Sequence, residues 1–435
     1  MGRWIDAGDA GFRETFTAFL NEPRGEVEDV ATTVHDVIAD VRANGGEAVA
    51  RYTSKFDRLT LDPVTLQSDN VDLHALAAGC PDDLKEAIDF AAERIDAYHE
   101  KQRPVDHVFK DAVGVELGWK WSSLDSVGVY VPGGLASYPS SVLMNTIPAK
   151  IAGVDRVVMT APAPGGQLSP AVAYAALKAG VDEFYPIGGA QAIAALAYGA
   201  GHLVRVDKIV GPGNAYVAEA KRQVFGTVGI DTIAGPSEIL VIADESANPD
   251  WIAADLLSQS EHDTSSQSIL ITVNKGVGKA VEKAVEKQLK TLSTEARARH
   301  AWDHHGAIIL ATSLDQAADI ANEIAAEHLE LAVEDPDLLL PQIRHAGAVF
   351  LGHHTPEALG DYVTGSNHVL PTSRAARFSS GLGLQDFMKR MSIQRASSEG
   401  FAALAPAALR LAEAEGLPAH ARSVSIRTNA GGGHD

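Results

Sequence analysis

Two short stretches of this chain hold side chains that could bind a metal ion and transfer protons. Gln259 and His262 lie three positions apart near the end of a predicted helix, so both would project from one face of its last turn. Glu327 and His328 are adjacent, and we expect them at the end of another helix, which begins at Leu314. Nitrogen and oxygen donors of this kind suit a borderline metal ion such as zinc.

Further potential ligands are spread along the second half of the chain. They are Asp361 and His368 in GDYVTGSNHVLPT, and His420 in EAEGLPAHAR. A histidine at a helix end more often stabilises the helix dipole than binds a metal. The sequence does not show whether these side chains converge, so a metal site and a set of unrelated polar residues both stay open at this point.

A glycine turn earlier in the chain could hold a phosphate group. The stretch DKIVGPGNAY, 207–216, predicts a short strand, a break at Gly211-Pro212-Gly213 and a helix from Asn214. This is the order of a dinucleotide-binding fingerprint, although Tyr216 stands where the third glycine is expected. Asp231 follows Gly211 by twenty positions, about where an acid that binds ribose would lie. The alternative is an ordinary strand-to-helix turn.

Alternating strands and helices must position these residues. From Val127 the pattern of strand, turn and helix repeats three times, and a second series resumes at SEILVIAD, which begins at Ser237. Such alternation is typical of parallel sheets with right-handed crossovers. We therefore predict an α/β fold with two Rossmann-like parallel-sheet modules and small helical arms at the N- and C-termini.

The same patterns give the predicted domain boundaries. Residues 1–25 form an N-terminal arm, and residues 381–435 form a helical tail. Residues 26–126 and 238–380 together form a first α/β domain, which carries most of the metal and acid/base residues. Residues 127–237 form a second Rossmann-like domain. A helix over 27–44 should stop at Gly45-Gly46. Periodicity does not show whether residues 27–126 pack with the second module.

Composition excludes several classes of protein. With 36 basic and 57 acidic side chains the net charge is −21, so nucleic acid and anionic membranes are unfavourable partners. No apolar run reaches about 18 residues and no signal peptide is visible, so we expect a cytoplasmic protein. The single cysteine, Cys80, cannot form an internal disulfide, and its neighbours Asp82 and Asp83 disfavour a reactive thiolate.

Seven motifs, in order over essentially the whole chain, resemble those of histidinol dehydrogenases. They are VGVYVPGGLASYPSSVLMNTIPAKIAGV, GGAQAIAALAYG, DKIVGPGNAYVAEAK, AGPSEILVIAD, SQSEHD, AEHLEL and GDYVTGSNHVLPT. The resemblance implies a homodimeric enzyme with one Zn²⁺ per subunit. It would oxidise the small molecule L-histidinol through the aldehyde to L-histidine with two NAD⁺, the last step of histidine biosynthesis.

The resemblance also implies a role for individual residues. The zinc ligands would be Gln259, His262, Asp361 and His420, which would also contact substrate, and the acid/base pair would be Glu327 and His328. Further substrate contacts would be Ser237, His368 and Glu415, beside His328, and the NAD contacts in the 127–237 domain would be Tyr130, Gln191 and Asn214. His420 would arrive from the partner chain.

Elementary chemistry agrees with this assignment and leaves two alternatives. A histidine can take the alcohol proton at neutral pH, and Glu327 could activate the water that hydrates the aldehyde. Because the only thiol is far in sequence from every motif, a hydrate is favoured over a thiohemiacetal. A zinc dehydrogenase of another small alcohol and a zinc hydrolase without NAD remain possible.

The two ends of the chain predict an assembly with shared sites. Residues 388–435 contain essentially one amphipathic helical pattern, LAPAALRLAEAEG, which cannot form a core alone, and residues 1–25 are a similar arm. Such arms suggest exchange across a two-fold axis. A tail folded back on its own subunit is the alternative.

Overall fold

The computed structural model describes residues 2–24, 30–133, 138–233 and 235–428. The start of the helix predicted at Val27, part of the first motif at 134–137, Ala234 and the final 429–435 lie outside this part of the chain. The contacts divide the chain into two compact units. The first comprises Met1–Gln102 and Leu124–Phe387, and the second comprises Arg103–Ser123 and Met388–Asp435.

The strands of the described residues are numbered in chain order. They are β1 (Arg3–Asp6), β2 (His107–Lys110), β3 (Glu116–Ser123), β4 (Ser126–Tyr130), β5 (Arg156–Thr160), β6 (Glu183–Tyr185), β7 (Lys208–Val210), β8 (Gly229–Ile230), β9 (Glu238–Ala243), β10 (Gln267–Thr272), β11 (Ala307–Leu310), β12 (His328–Ala332), β13 (Ala348–Leu351) and β14 (Met388–Arg395).

The α-helices are numbered in the same way. They are α1 (Phe12–Asn21), α2 (Ala31–Asp57), α3 (Leu73–Ala78), α4 (Asp82–Glu100), α5 (Pro139–Ala152), α6 (Pro170–Ala179), α7 (Gly189–Tyr198), α8 (Ala215–Val224), α9 (Pro249–Ser260), α10 (Lys275–Leu289), α11 (Glu295–His305), α12 (Leu314–Ile324), α13 (Pro336–Leu339), α14 (Glu357–Tyr362), α15 (Ser398–Ala414) and α16 (Pro418–Thr428). None of the described helices is both long and apolar enough to cross a membrane.

A six-stranded parallel sheet in the first unit has the order β1-β11-β10-β9-β12-β13. Successive side chains of β9 enter two different cores, because they point to opposite faces of the sheet. Leu240 packs in the core that contains Phe16 of α1. Val241 packs in the core that contains Leu256 and Trp302, under α9 and α11. Both faces are covered, as the continuous apolar pattern of this strand predicts.

A second parallel sheet in the same unit has the order β6-β5-β4-β7-β8. The chain runs outward from β4 through β5 to β6, and then returns to the other side of β4 with β7. The point of reversal therefore lies between β4 and β7, where α/β proteins usually bind their ligands. The prediction of an α/β fold with two Rossmann-like parallel sheets is confirmed.

The helix predicted to stop at Gly45-Gly46 continues. A kink at Gly45, with φ 53° and ψ −131°, joins two helical segments into α2. Gly46 is required by close packing, because a Cβ there would lie 1.9 Å from the carbonyl oxygen of Pro63. Val41 of α2 shares a core with Ile209 of β7. This core joins residues that the sequence assigned to different domains, while the proposed domain boundaries themselves stay a prediction.

The second unit contains the antiparallel sheet β14-β3-β2 and the helices α15 and α16. It buries few side chains. In α15 the buried residues are Gly400, Ala405 and Ala412, and α16 buries none. Leu411 is 64% exposed. The described part of this unit therefore has a helix pair with little core of its own.

Candidate active site

Glu327 directly precedes β12, and His328 is the first residue of that strand. The preceding helix α12 ends at Ile324, and Ala325 adopts a left-handed conformation, with φ 52°, that turns the chain toward the strand. The predicted helix end at His328 was therefore wrong, because no glycine or proline marks this turn. Glu327 is 8% exposed and His328 is 3% exposed. Two titratable side chains are thus buried next to each other.

Glu238, the first residue of β9, holds both of these residues in place. Its N–H donates to Glu327 Oε2 at 2.9 Å, and its own Oε2 accepts from the Glu327 N–H at 3.3 Å. Its carbonyl oxygen lies 2.9 Å from His328 Nδ1. A carbonyl can only accept, so His328 carries a proton on Nδ1, and Nε2 is the nitrogen that can gain or lose a proton.

Arg24, near the end of the predicted N-terminal arm, forms an ion pair with the Glu238 carboxylate. Both side chains are largely buried. The sequence analysis did not identify Glu238 or Arg24 as site residues. The only indication for Glu238 was its position beside Ser237, and the only indication for Arg24 was its basic charge in an acidic chain.

Gln259 and His262 lie at the C-terminal end of α9. Gln259 is fully buried, its Nε2 donates to Glu357 Oε1 at 2.7 Å, and its Oε1 has no hydrogen-bond partner. The His262 N–H donates to the Gln259 carbonyl at 3.1 Å, which closes the turn after the helix. Desolvation lowers the pKa of His262, and the nearby charge of Asp361 opposes this shift. The C-terminal end of a helix also favours a cation electrostatically.

Asp361 lies on the short helix α14 and faces His328. The distance from His328 Nε2 to Asp361 Oδ1 is 3.6 Å. Among the described residues, His328, Glu357 and Asp361 form a group whose potential ligand atoms lie within 4.8 Å of one another. Glu357 was missed by the sequence reasoning. Its signal was the four-residue spacing to Asp361, which puts two carboxylates on one face of a helix.

The buried charges shift one another's protonation. Burial raises the pKa of Glu327 to about 7, and burial with repulsion from Asp361 raises that of Glu357 to about 8. Burial opposes the charged form of His328, but the carboxylates of Glu327 and Asp361 outweigh it and raise its pKa to about 10. Burial opposes ionisation of Asp361, but the nearby imidazoles of His328 and His368 outweigh burial and lower the pKa of Asp361 to about 2.

The site therefore suits a cation. In the described part of the chain, the carboxyl groups of Glu327, Glu357 and Asp361 outnumber the one imidazole, that of His328, that lies among them. A bound positive ion would therefore be stabilised there. Two buried polar atoms, Gln259 Oε1 and His328 Nε2, have no hydrogen-bond partner. The unpaired oxygen, the carboxylate of Asp361 and the imidazole of His262 are donors of the types that zinc accepts.

The remaining predicted substrate contacts divide between the two units. His368 Nδ1 donates to the Asp361 carbonyl at 2.9 Å, and its Nε2 lies 3.4 Å from Ser141 Oγ. Ser237 directly precedes Glu238 at the start of β9. Glu415 follows α15 and His420 lies in α16, so both belong to the second unit, and both are exposed. The structure brings His368 to Asp361, and it leaves Glu415 and His420 on the surface of their own unit.

The predicted NAD contacts lie at the carboxyl edge of the second sheet. Tyr130 ends β4 and Asn214 follows β7, on either side of the reversal point. Tyr130 is buried, and its Oη accepts from the Gly189 N–H at 3.1 Å, next to Gln191 in the first turn of α7. Asn214 caps α8 by accepting from the Val217 N–H at 3.1 Å.

The turn between β7 and α8 has a backbone geometry that requires glycine. Gly211 has φ +112°, and a Cβ there would lie 2.0 Å from the Tyr130 carbonyl oxygen. The chain therefore needs glycine at this position to pass over the end of β4. This edge combines a tight glycine turn, two helix N-termini and a topological switch point, an arrangement that fits a dinucleotide.

Comparison with known proteins places these features in a family. A family model described as "Histidinol dehydrogenase" matches residues 20–428. Histidinol dehydrogenase from Agrobacterium fabrum is 57% identical over 99% of each chain, and that from Mesorhizobium japonicum is 57% identical over 99% of this chain and all of the relative. This chain belongs to the histidinol dehydrogenase family.

A solved structure agrees with this membership. The crystal structure of histidinol dehydrogenase from Elizabethkingia anophelis superposes with a TM-score of 0.93 at 35% identity, covering 99% of this chain and 98% of that chain. The resemblance found in the seven motifs is confirmed. As a histidinol dehydrogenase, the chain is an NAD-dependent oxidoreductase of the final step of histidine biosynthesis, in a family that generally uses zinc and NAD.

Proposed function

We propose that this chain oxidises L-histidinol through L-histidinal to L-histidine, with two NAD⁺ consumed per substrate, in the cytoplasm. The observation that carries this proposal is the buried pair Glu327 and His328 beside a cation-favouring cluster, in a chain similar to histidinol dehydrogenases over its whole length. The pair supplies two bases, and a four-electron oxidation with a hydrated aldehyde needs two different proton acceptors.

His328 is proposed as the base of the alcohol step. Its Nδ1–H is fixed on the Glu238 carbonyl, so Nε2 is the atom that takes the hydroxyl proton of the substrate. NAD⁺, bound at Tyr130, Gln191 and Asn214, would accept the hydride. The surrounding carboxylates raise the pKa of His328. For this role that pKa must be lowered, because a protonated imidazole cannot act as a base.

Glu327 is proposed as the base of the aldehyde step. Its pKa, raised to about 7 by burial, lies close to neutrality, where a carboxylate can both take and release a proton. It would remove a proton from water as the water adds to the aldehyde, giving a hydrate whose hydride can leave. Cys80, the only thiol in the sequence, is buried and 3% exposed, so it supports no thiohemiacetal.

Gln259, His262 and Asp361 are proposed to hold one zinc ion, with His420 supplied by a second copy of the chain. When bound, zinc would orient the imidazole and amino nitrogens of the substrate and add positive charge among the carboxylates. Ser237, His368 and Glu415 are proposed to contact the substrate. The donor types, the unpaired Gln259 Oε1 and the excess of carboxylates support this set.

The yield of NADH per L-histidinol consumed tests the proposed reaction. We expect a ratio of about two, because each oxidation transfers one hydride to NAD⁺. The ratio is measured from the absorbance of NADH and the loss of histidinol at completion. A ratio near one would limit the enzyme to a single oxidation, and turnover of other small alcohols with no reaction of histidinol would replace the proposed substrate.

We further propose a homodimer in which each active site is shared. The second unit carries Glu415 and His420 on exposed surfaces and has little core of its own, so it suits docking on another surface. The proposal needs only that His420 of one chain completes the site that contains His262 of the other.

Mixing two inactive variants tests the shared site. His262→Ala and His420→Ala should each be inactive alone, but equal co-refolding should restore about a quarter of wild-type activity, since half of the dimers then contain one intact site. Activity is measured after refolding, with each variant refolded alone as the control. If His420 served only its own subunit, every site would keep one lesion and the mixture would stay inactive.

A further inference from the structure

A buried ion pair holds the glycine turn between β7 and α8. Lys221, in α8, pairs with Asp231, which follows β8, and each side chain is 3% exposed. Asp231 Oδ2 accepts from the Gly211 N–H at 2.8 Å, and Lys221 Nζ donates to the Gly211 carbonyl oxygen at 3.0 Å. Both polar backbone groups of Gly211 are therefore bound by charged side chains, which lie ten and twenty positions further along the chain.

The position of Gly211 is one that small displacements would disturb. Its left-handed backbone passes so close to β4 that a Cβ would lie 2.0 Å from the Tyr130 carbonyl oxygen. Asn214, three positions later, begins α8. A shift of Gly211 would therefore change the position of Asn214 relative to Tyr130, at the point where the strand order reverses.

A buried ion pair is a costly way to stabilise a fold. Two apolar side chains of similar size would often stabilise the same space as well or better, because each charge loses its hydration. The distinctive feature of Lys221 and Asp231 is that they bind the same glycine as well as each other. This arrangement fixes the geometry of the turn at Gly211 more than it contributes to the stability of a core.

We propose that Lys221 and Asp231 are positioning residues that fix the Gly211 turn in the conformation that binds NAD. This inference rests on the proposed NAD site at Tyr130, Gln191 and Asn214. It also gives Asp231 a different role from the one that its spacing suggested. Its carboxylate is occupied by Gly211 and Lys221 inside the protein, so it is not the acid that binds the ribose.

Replacing Lys221 tests the proposal through NAD binding as well as activity. We expect Lys221→Met in the zinc-loaded enzyme to raise the Kd for NAD⁺ about tenfold or more, as the loss of supporting contacts commonly does. Titration calorimetry without histidinol gives the Kd. The KM for NAD⁺ should rise in parallel, while the KM for histidinol and the bound zinc stay unchanged. Lys221→Arg, which keeps the charge, should restore much of the affinity.

A neighbouring ion pair provides the matched control. Arg222 is the next residue of α8, but its side chain is 56% exposed and its guanidinium hydrogen-bonds to Glu219, in the same helix. Arg222→Met should leave the Kd for NAD⁺ unchanged. A merely structural role of Lys221 would lower the melting temperature of Lys221→Met without a selective change in NAD⁺ affinity, and that result would overturn the proposal.

Asp231→Asn and Asn214→Ala separate the possible failures. Asp231→Asn keeps the shape of the side chain, so it replaces Lys221→Met in this comparison if the latter does not fold, and it should weaken NAD⁺ binding as well. If Asn214→Ala weakens binding and neither Asp231→Asn nor Lys221→Met does, the positioning role is wrong and the proposed site stands. If Asn214→Ala also binds NAD⁺ normally, the proposed site itself is wrong.

Discussion

Replacing His328 with Asn should lower the rates of both oxidation steps by about 10²–10⁴-fold, the usual loss on removing a general base. The hydroxyl proton must leave as hydride departs from the alcohol, and the same is true of the hydrate in the second step. His328 Nε2 is the buried basic atom whose tautomer is fixed by Glu238. Asparagine keeps a polar side chain but cannot take a proton at neutral pH.

Glu327→Gln should separate the two steps. Only the aldehyde step needs water to lose a proton, so this variant should slow the oxidation of histidinal much more than that of histidinol. The two steps are measured separately by supplying each compound with NAD⁺ and following NADH. Equal losses of rate at both steps for Glu327→Gln would contradict the proposal that Glu327 serves only the aldehyde step.

Two exposed residues provide controls for these variants. His304→Asn on α11 and Glu86→Gln on α4 make the same chemical changes on the surface of the first unit. Both should keep wild-type rates in both steps. A comparable loss in His304→Asn would point to a general effect on folding, which melting temperatures of the four variants would then reveal.

Removal of the metal should abolish turnover and leave most of the fold intact. The proposed ligands Gln259, His262 and Asp361 lie on α9, in the turn after it and on α14, whereas the cores of the large sheet are filled by apolar side chains such as Trp302 and Phe16. A domain of this size does not need zinc to fold, in contrast to a small zinc finger. We expect only a reduced melting temperature, because a bound ion stabilises the folded state.

The experiment combines chelation with a ligand variant. After treatment with a chelator, zinc content, circular dichroism and activity are measured, and activity should return when Zn²⁺ is added. Gln259→Ala should retain less zinc, whereas Gln342→Ala, which removes an exposed glutamine, should retain the full amount. Full activity in the metal-free enzyme would show that the ligand assignment is wrong.

The sequence by itself determined the fold class and the family. Alternating strand and helix patterns are local, because they depend on side-chain periods of two and 3.6 residues, and they predicted both parallel sheets. The seven motifs were also read from consecutive residues and led to the histidinol dehydrogenase family. Local patterns failed at Gly45, where a kinked helix continues, and at Ala325, where α12 ends without a breaking residue.

The tertiary structure decided which side chains meet. Glu238 and Glu327 are 89 positions apart in the chain and exchange hydrogen bonds because β9 and β12 are neighbours in a fixed register. Glu357 reaches Gln259 across 98 positions because α14 packs against α9. Asp231 has the spacing of a ribose-binding acid, yet folding buries it against Lys221. Spacing along the chain predicts the elements, but burial and strand order determine what each charged group can contact.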